Sequence, residues 1–303
     1  MTLEGIQQMN FVTSDQRSST FDSQKEPALH IQPGEMVKIE TSPEPYEQLF
    51  AAGDDWEDTI DFETFNQVYG PVYIEGVEPG DGVVVEILDI ETLNWGLNCF
   101  IPGFSMIDNK IQSKFLRRVP ITEDWVHLTD RFKVPLQPMI GCLGLAPPTG
   151  DSTTLGQSPW GGNYDLIQLK AGNTAIFPAQ VLGGLFYLGD LHAAMGNGEP
   201  TYVSIECAGT VTVRFGIRKQ IGLLNPRVES SDRLYILGLS SGSGGRWDTS
   251  RKQACELMFD YLTRERSLTP EEAHLFLSAS VDLTYGGPTG VSLASIPFTI
   301  FDE

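Results

Sequence analysis

Val77-Glu78-Pro79-Gly80-Asp81-Gly82-Val83-Val84-Val85-Glu86-Ile87-Leu88 is a Pro-Gly reversal followed by a β-branched run. Proline presets one turn dihedral, glycine supplies a positive φ, and the residues that follow pack well on a pleated surface. Three further stretches share the pattern. They are His30-Ile31-Gln32-Pro33-Gly34-Glu35-Met36-Val37-Lys38-Ile39-Glu40, Leu169–Phe177 around Ala171-Gly172-Asn173, and Ile205–Phe215 around Ala208-Gly209-Thr210. Each predicts strand, tight turn, strand, with side chains alternating between two faces. Such units fit a sandwich or barrel core better than a βαβ sheet, and their irregular spacing argues against a solenoid.

Outward from these units the chain changes character. Residues 1–27 are polar and read as an irregular arm or edge segment. From Asn94 to Tyr164, punctuation such as Pro147-Pro148-Thr149-Gly150 predicts long loops that shape a site or an oligomer contact. Ala254, Leu257, Met258, Tyr261 and Leu262 recur at helical spacing. Thr269-Pro270-Glu271-Glu272 is a capping box that opens a second helix. The expected class is β-dominated α+β: a sandwich- or barrel-like core of repeated hairpins, with two C-terminal helices. The β core is expected to run to about residue 239 and the helical part to span 248–280, with Ser240–Gly245 a flexible loop between them.

Twenty basic against forty acidic residues give a net charge of −20, which excludes nucleic-acid phosphates and anionic membranes as partners and suits a small neutral substrate. No run approaches the length of a membrane span, and the first residues lack an apolar leader core. Cys99, Cys142, Cys207 and Cys255 lie far apart with no CxxC pair, which points to reduced thiols in a cytoplasmic protein. Cys142 reads first as a core residue and second as a nucleophile.

One stretch carries chemistry: Leu182-Gly183-Gly184-Leu185-Phe186-Tyr187-Leu188-Gly189-Asp190-Leu191-His192-Ala193-Ala194-Met195-Gly196-Asn197-Gly198-Glu199. Asp190 and His192 are two apart, so in extended backbone they project to one side. With Glu199 they form an oxygen and nitrogen set that can hold a divalent cation. The competing reading is a hydrogen-bonded structural histidine on a glycine-rich turn.

Gly70–Asp81, Pro138–Gly141, Ala146-Pro147, Gly161-Gly162-Asn163-Tyr164-Asp165, Gly189–Glu199 and the closing Ile296–Phe301 occur in the order found in the acetamidase/formamidase family, which residues 28–303 resemble. The resemblance implies a homodimer or higher oligomer that hydrolyses a small carboxamide, formamide- or acetamide-like, to carboxylate and ammonia through a metal-activated water. It implies Asp165, Asp190 and His192 as metal ligands, with zinc ahead of calcium or magnesium. Glu199 is expected as general base and acid, and Asn163 either as an oxyanion donor or as the support that aims Asp165. Trp160 and Phe186 are candidate walls of a small pocket. Two departures stand out: Asn197 replaces a common aspartate, and no His-Trp pair lies near Asp15–Phe21. Two other functions compete. One is a non-catalytic β-sandwich with a structural Ca²⁺-like ion; the other is a cysteine-nucleophile amidase needing His127, His192 or His274 beside Cys142. His30, His127 and His274 otherwise read as structural or exposed, and Gly53–Asp58 as a solvated acidic loop.

Overall fold

A computed structural model describes residues 9–61, 66–240 and 247–301. Two long strands form the spine. Gly82–Phe100 and Ile205–Arg218 run antiparallel, paired from Gly82↔Arg218 to Leu97↔Glu206 with register shifts at Thr212/Val213 and Cys207/Gly209. In the first half of Gly82–Phe100, apolar side chains alternate inward and Val83, Val85 and Ile87 are buried. The main path of the sheet continues from this pair in both directions. One direction passes through Phe186–Ala194 and Met139–Gly144 to Gly161–Asn163. The other passes through Thr174–Pro178, Arg227–Glu229, Arg233–Gly238 and Ser292–Pro297 to Asp282–Tyr285. Its two ends do not meet, so the sheet is open rather than a closed barrel. The class is β-dominated α+β, as expected.

The hairpin expectation is corrected. Leu29–Ile31 pairs in parallel with Val68–Ile74, whereas Met36–Glu40 pairs with Ile205–Arg218. The Pro33-Gly34 turn therefore carries the chain between distant parts of the sheet. The Pro79-Gly80 turn does the same between Val68–Ile74 and Gly82–Phe100, which pair with different partners. Gly209 is not at a turn at all. It lies within a continuous strand where a Cβ would sit 2.0 Å from the carbonyl oxygen of Glu91, so close strand approach demands glycine.

Other expectations also change. Within the 1–27 segment, Asn10–Val12, Arg17–Ser18 and Thr20–Asp22 are paired strands, with Val12 and Phe21 buried. The 94–164 stretch is strand-rich, and its Met139–Gly144 strand is buried throughout. The acidic run folds into a short 3₁₀ helix, Gly53–Thr59, that buries Trp56. A helix at Glu44–Ala51, with Tyr46 and Leu49 buried, had no counterpart in the sequence reading. The C-terminal helices are present as Trp247–Asp260 and Pro270–Ser280, the second with its capping box formed. The sheet does not end near residue 239, because Ser292–Pro297 returns to pair with Arg233–Gly238. The linker read as flexible, 240–245, lies outside the described residues apart from Ser240. No helix among the described residues is long and apolar enough to cross a membrane.

Candidate active site

The site begins where one strand changes partners. Along one edge Phe186–Ala194 keeps a single neighbour, Met139–Gly144. Along the other it pairs with Val68–Ile74 through Gly189, then with Ile205–Arg218 from Leu191 onward. Asp190 sits at the divergence, with a left-handed φ of 57°. The two partner strands part there, leaving room beneath its carboxylate. Beyond it, His192 faces Glu206 directly across the ladder. His192 Nε2 lies 3.4 Å from Asp190 Oδ1 and 3.1 Å from Glu206 Oε2. Asp190 and His192 do lie together, but through a left-handed kink at Asp190 rather than through the extended backbone that the spacing argument assumes.

Asp165 arrives from another loop. Its backbone amide, like that of Tyr164, donates to the carbonyl of Gly141, and its φ is 47°. Gly141 makes the convergence possible. A Cβ there would lie 2.4 Å from Asp190 Oδ2 and 2.7 Å from Asp165 Oδ1, so any side chain would displace the carboxylates. Glu199 follows on a tight turn, also left-handed at φ 41°. Three acids of one cluster thus hold a backbone conformation that non-glycine residues rarely adopt, a form of strain that concentrates at functional sites. Ligand atoms of Asp165, Asp190 and His192 all lie within 4.8 Å of one another, and so do those of His192, Glu199 and Glu206.

All five expected residues line one cavity. Asn163 Nδ2 donates to Asp165 Oδ2 at 2.6 Å, while its own Oδ1 accepts from Asn66 Nδ2 at 2.8 Å. This geometry matches the support reading of Asn163. Trp160 and Phe186 do not line the cavity. Phe186 is core, edge-on to Phe215, and Trp160 donates to Ser152. The walls come instead from residues such as Tyr46, Leu49, Ile101, Leu155 and Tyr202.

Electrostatics mark the cluster as unusual. Burial pushes the Asp165 carboxyl well above the ordinary range, and repulsion from Glu199 and Asp190 adds to it. Burial pushes Glu199 up to about 8; His192 pulls it down, and Glu206 and Asp190 push it up. Burial alone would lower His192, but Glu206 and Asp190 outweigh it and hold the imidazole well above its usual value. Two buried atoms in the cluster, Asp165 Oδ1 and His192 Nδ1, have no hydrogen-bond partner.

Glu206 went unrecognised as a site residue. Its carboxylate is buried and held by the Ser204 amide at 2.8 Å and hydroxyl at 3.2 Å. The available signal was a lone acid in the apolar run Ile205-Glu206-Cys207-Ala208, since a charge facing the core of a strand requires partners. Cys142, the alternative nucleophile, donates to the carbonyl of Thr154 at 3.4 Å, and burial, with Asp190 and Asp165 nearby, pushes its thiol well up. His127 contacts Thr122 and His274 contacts Ser278, while His192 Nε2 is engaged by two carboxylates. A thiolate nucleophile activated by an imidazole finds no support in this arrangement.

A strained cluster of acids and one imidazole, set where strands of an open sheet diverge, can hold a cation or move a proton beside a small bound molecule, and would repel a polyanion. The chain belongs to the acetamidase/formamidase family, whose model matches residues 16–155 and 149–303. A formamidase of Methylophilus methylotrophus is 26% identical over 326 residues, covering 80% of this chain and 79% of that protein. The crystal structure of an acetamidase from Bacillus halodurans superposes with a TM-score of 0.87 at 30% identity, over 96% of this chain and 98% of that one. A predicted acetamidase/formamidase from Thermoanaerobacter tengcongensis gives 0.89 at 26% identity, over 97% of each chain.

Proposed function

We propose that the chain hydrolyses a neutral carboxamide to carboxylate and ammonia with the help of a divalent metal ion, zinc ahead of calcium or magnesium. The carrying observation is the convergence of buried Asp165 and His192 with half-buried Asp190, in which Asp165 Oδ1 and His192 Nδ1 have no hydrogen-bond partner among the described residues. Four clustered carboxylates answered by a single imidazole are costly to bury, and a mixed oxygen and nitrogen set suits a zinc-like ion better than an all-oxygen calcium shell. Such an ion, held by Asp165, Asp190 and His192, supplies positive charge that polarises an amide carbonyl and acidifies water.

The remaining steps belong to the protein. Asn163 aims the Asp165 carboxylate, and Glu206 fixes the His192 ring from across the strand pair. Glu199, buried beside them, takes a proton from the attacking water and delivers it to the leaving nitrogen as the C–N bond breaks. The same reading includes a homodimer or higher oligomer in the cytoplasm, the first checked by light scattering and the second by cell fractionation.

The test is ammonia release from a panel of amides, with and without chelator, for wild type and His192→Ala. Turnover that stops on chelation, returns with zinc and is absent from the variant is expected. Chelator-insensitive turnover defeats the metal assignment and spares the amidase; silence on every amide defeats both.

A further inference from the structure

The cavity is far larger than its polar floor requires. Its volume is about 450 Å³, within the range of sites that enclose drug-sized molecules. Acetamide, a handful of water-sized groups, would occupy a small part of it. The floor is polar, formed by the Asp165, Asp190, His192, Glu199 and Glu206 cluster. The walls above it are predominantly aliphatic and aromatic, with polar interruptions at Thr41, Ser42, Asn66, Gln67 and Gln157. The Glu44–Ala51 helix contributes Tyr46 and Leu49, the long spine strand contributes Leu97, and Ile101 follows it. Phe104 packs edge-on against Tyr202, ring centroids 5.7 Å apart, which fixes a second aromatic face. Leu155 stands at the rim, 37% exposed. No Lys or Arg is among the lining residues described, so an anionic substituent would meet carboxylates and no countercharge.

We infer that the preferred substrate is a primary amide whose acyl group is a bulky uncharged apolar substituent, aliphatic or arylalkyl, rather than formamide or acetamide. This rests on the amide-hydrolase reading for the identity of the reacting group. The size preference rests on the cavity alone. Since the leaving group is ammonia, the extra volume must be filled from the acyl side. The floor takes the carboxamide, and the substituent displaces water from apolar walls, a gain that grows with each buried methylene.

Two readouts separate this from the activity itself. The first compares kcat/KM for ammonia release from acetamide, hexanamide and 3-phenylpropanamide. The second measures calorimetric binding of inert ketone isosteres, acetone and 4-phenyl-2-butanone, to the same purified holoenzyme. The inference expects 3-phenylpropanamide to exceed acetamide at least about tenfold, and the phenyl ketone to bind at least about tenfold tighter than acetone. Leu155→Trp, which adds an indole to the cavity wall, should erase both preferences. Hexanamide should fall between the two amides.

Equal binding of the two ketones overturns the inference whatever the ammonia assay gives. So does faster turnover of acetamide than of 3-phenylpropanamide despite tighter binding of the phenyl ketone. Ammonia from no amide, with tight phenyl-ketone binding, overturns the amidase reading and leaves the apolar ligand class standing.

Discussion

Asp81 and Asp165 are both aspartates hidden from solvent, at 0% and 1% exposure, yet the protein treats their charges in opposite ways. Asp81 sits under the Pro79-Gly80 turn. It accepts from the Glu78 amide at 2.9 Å, the Gln220 amide at 2.9 Å and the Lys219 ammonium at 2.8 Å. Burial raises its pKa, but the Lys219 and backbone donors outweigh that and leave it below the usual carboxylate range. Asp165 has one oxygen held by Asn163 and the other with no partner, beside two more acids. One carboxylate is answered within the chain and holds a turn in place. The other is left unanswered, the kind of buried, perturbed group that marks a functional site.

The largest expected effect breaks the pair apart by function. Asp165→Asn keeps a carbonyl oxygen for the Asn163 donor but removes a charge the proposed cation needs. Ammonia release should fall on the order of 10³-fold, about 4 kcal/mol of transition-state stabilisation. Urea unfolding of the chelated variant at pH 8 should show stability unchanged or raised, because a repelled carboxylate has been removed. A variant that keeps its activity, or that unfolds much more readily, would make Asp165 another Asp81.

The complementary substitution comes next in size. Asp81→Ala removes the acceptor of the Glu78 and Gln220 backbone amides and one of the partners of Lys219, which keeps the Gly76 carbonyl and the Glu78 carboxylate, at an expected cost of about 3 kcal/mol in urea unfolding. Its kcat/KM should stay within about twofold of wild type. Loss of activity at unchanged stability would erase the distinction between the two aspartates.

How far this contrast was visible beforehand depends on how local each constraint is. Asp190 and His192 were legible as neighbours because two residues cannot separate them far, although the left-handed kink at Asp190 replaces the strand alternation that the spacing assumes. Asp165 lies 25 residues earlier in the chain than Asp190 and was reached only through the Gly-Gly-Asn-Tyr-Asp motif. Nothing in its own neighbourhood announces the Gly141 carbonyl that positions it. Glu206 was hidden by register, since only strand pairing places it opposite His192. The Pro-Gly turns were correctly read as reversals, but which strands they join is a nonlocal choice. The Pro270–Ser280 helix was read correctly to its first residue because a capping box is complete within four residues. The Glu44–Ala51 helix offered only eight.

A pH series sharpens the comparison at moderate cost. Glu199 holds its proton to about pH 8 in the folded chain, whereas the unfolded chain releases it near the ordinary carboxylate value. Between these limits the folded state binds more protons, so stability must fall as pH rises. Asp165 is shifted upward as well and acts in the same direction. His192, also raised, contributes stability below its ordinary pKa that disappears as pH climbs through the folded value. The chelated protein should therefore lose up to about 1.4 kcal/mol per pH unit for each such proton between about pH 5 and 8. Added zinc should reverse the slope, because a cation favours the deprotonated ligands. A chelated protein that grows more stable over this range would show that Asp81-like carboxylates, not the site, dominate its titration.

The smallest effect tests whether a complete set of partners matters when the group is at the surface. Thr269 accepts from the Glu272 amide at 3.3 Å, and the Glu272 carboxylate accepts from the Thr269 amide at 2.8 Å. Both partners are satisfied, as at Asp81, but water stands ready to replace either one. Thr269→Ala should thus cost only about 1 kcal/mol in unfolding and leave ammonia release untouched. The threefold gap to Asp81→Ala would then reflect an acceptor that is itself hidden from solvent and serves two backbone amides, against an exposed one that serves a single amide. If the two variants cost the same, burial is not what separates Asp81 from the surface, and the unpaired oxygen of Asp165 loses its meaning as a mark of the site.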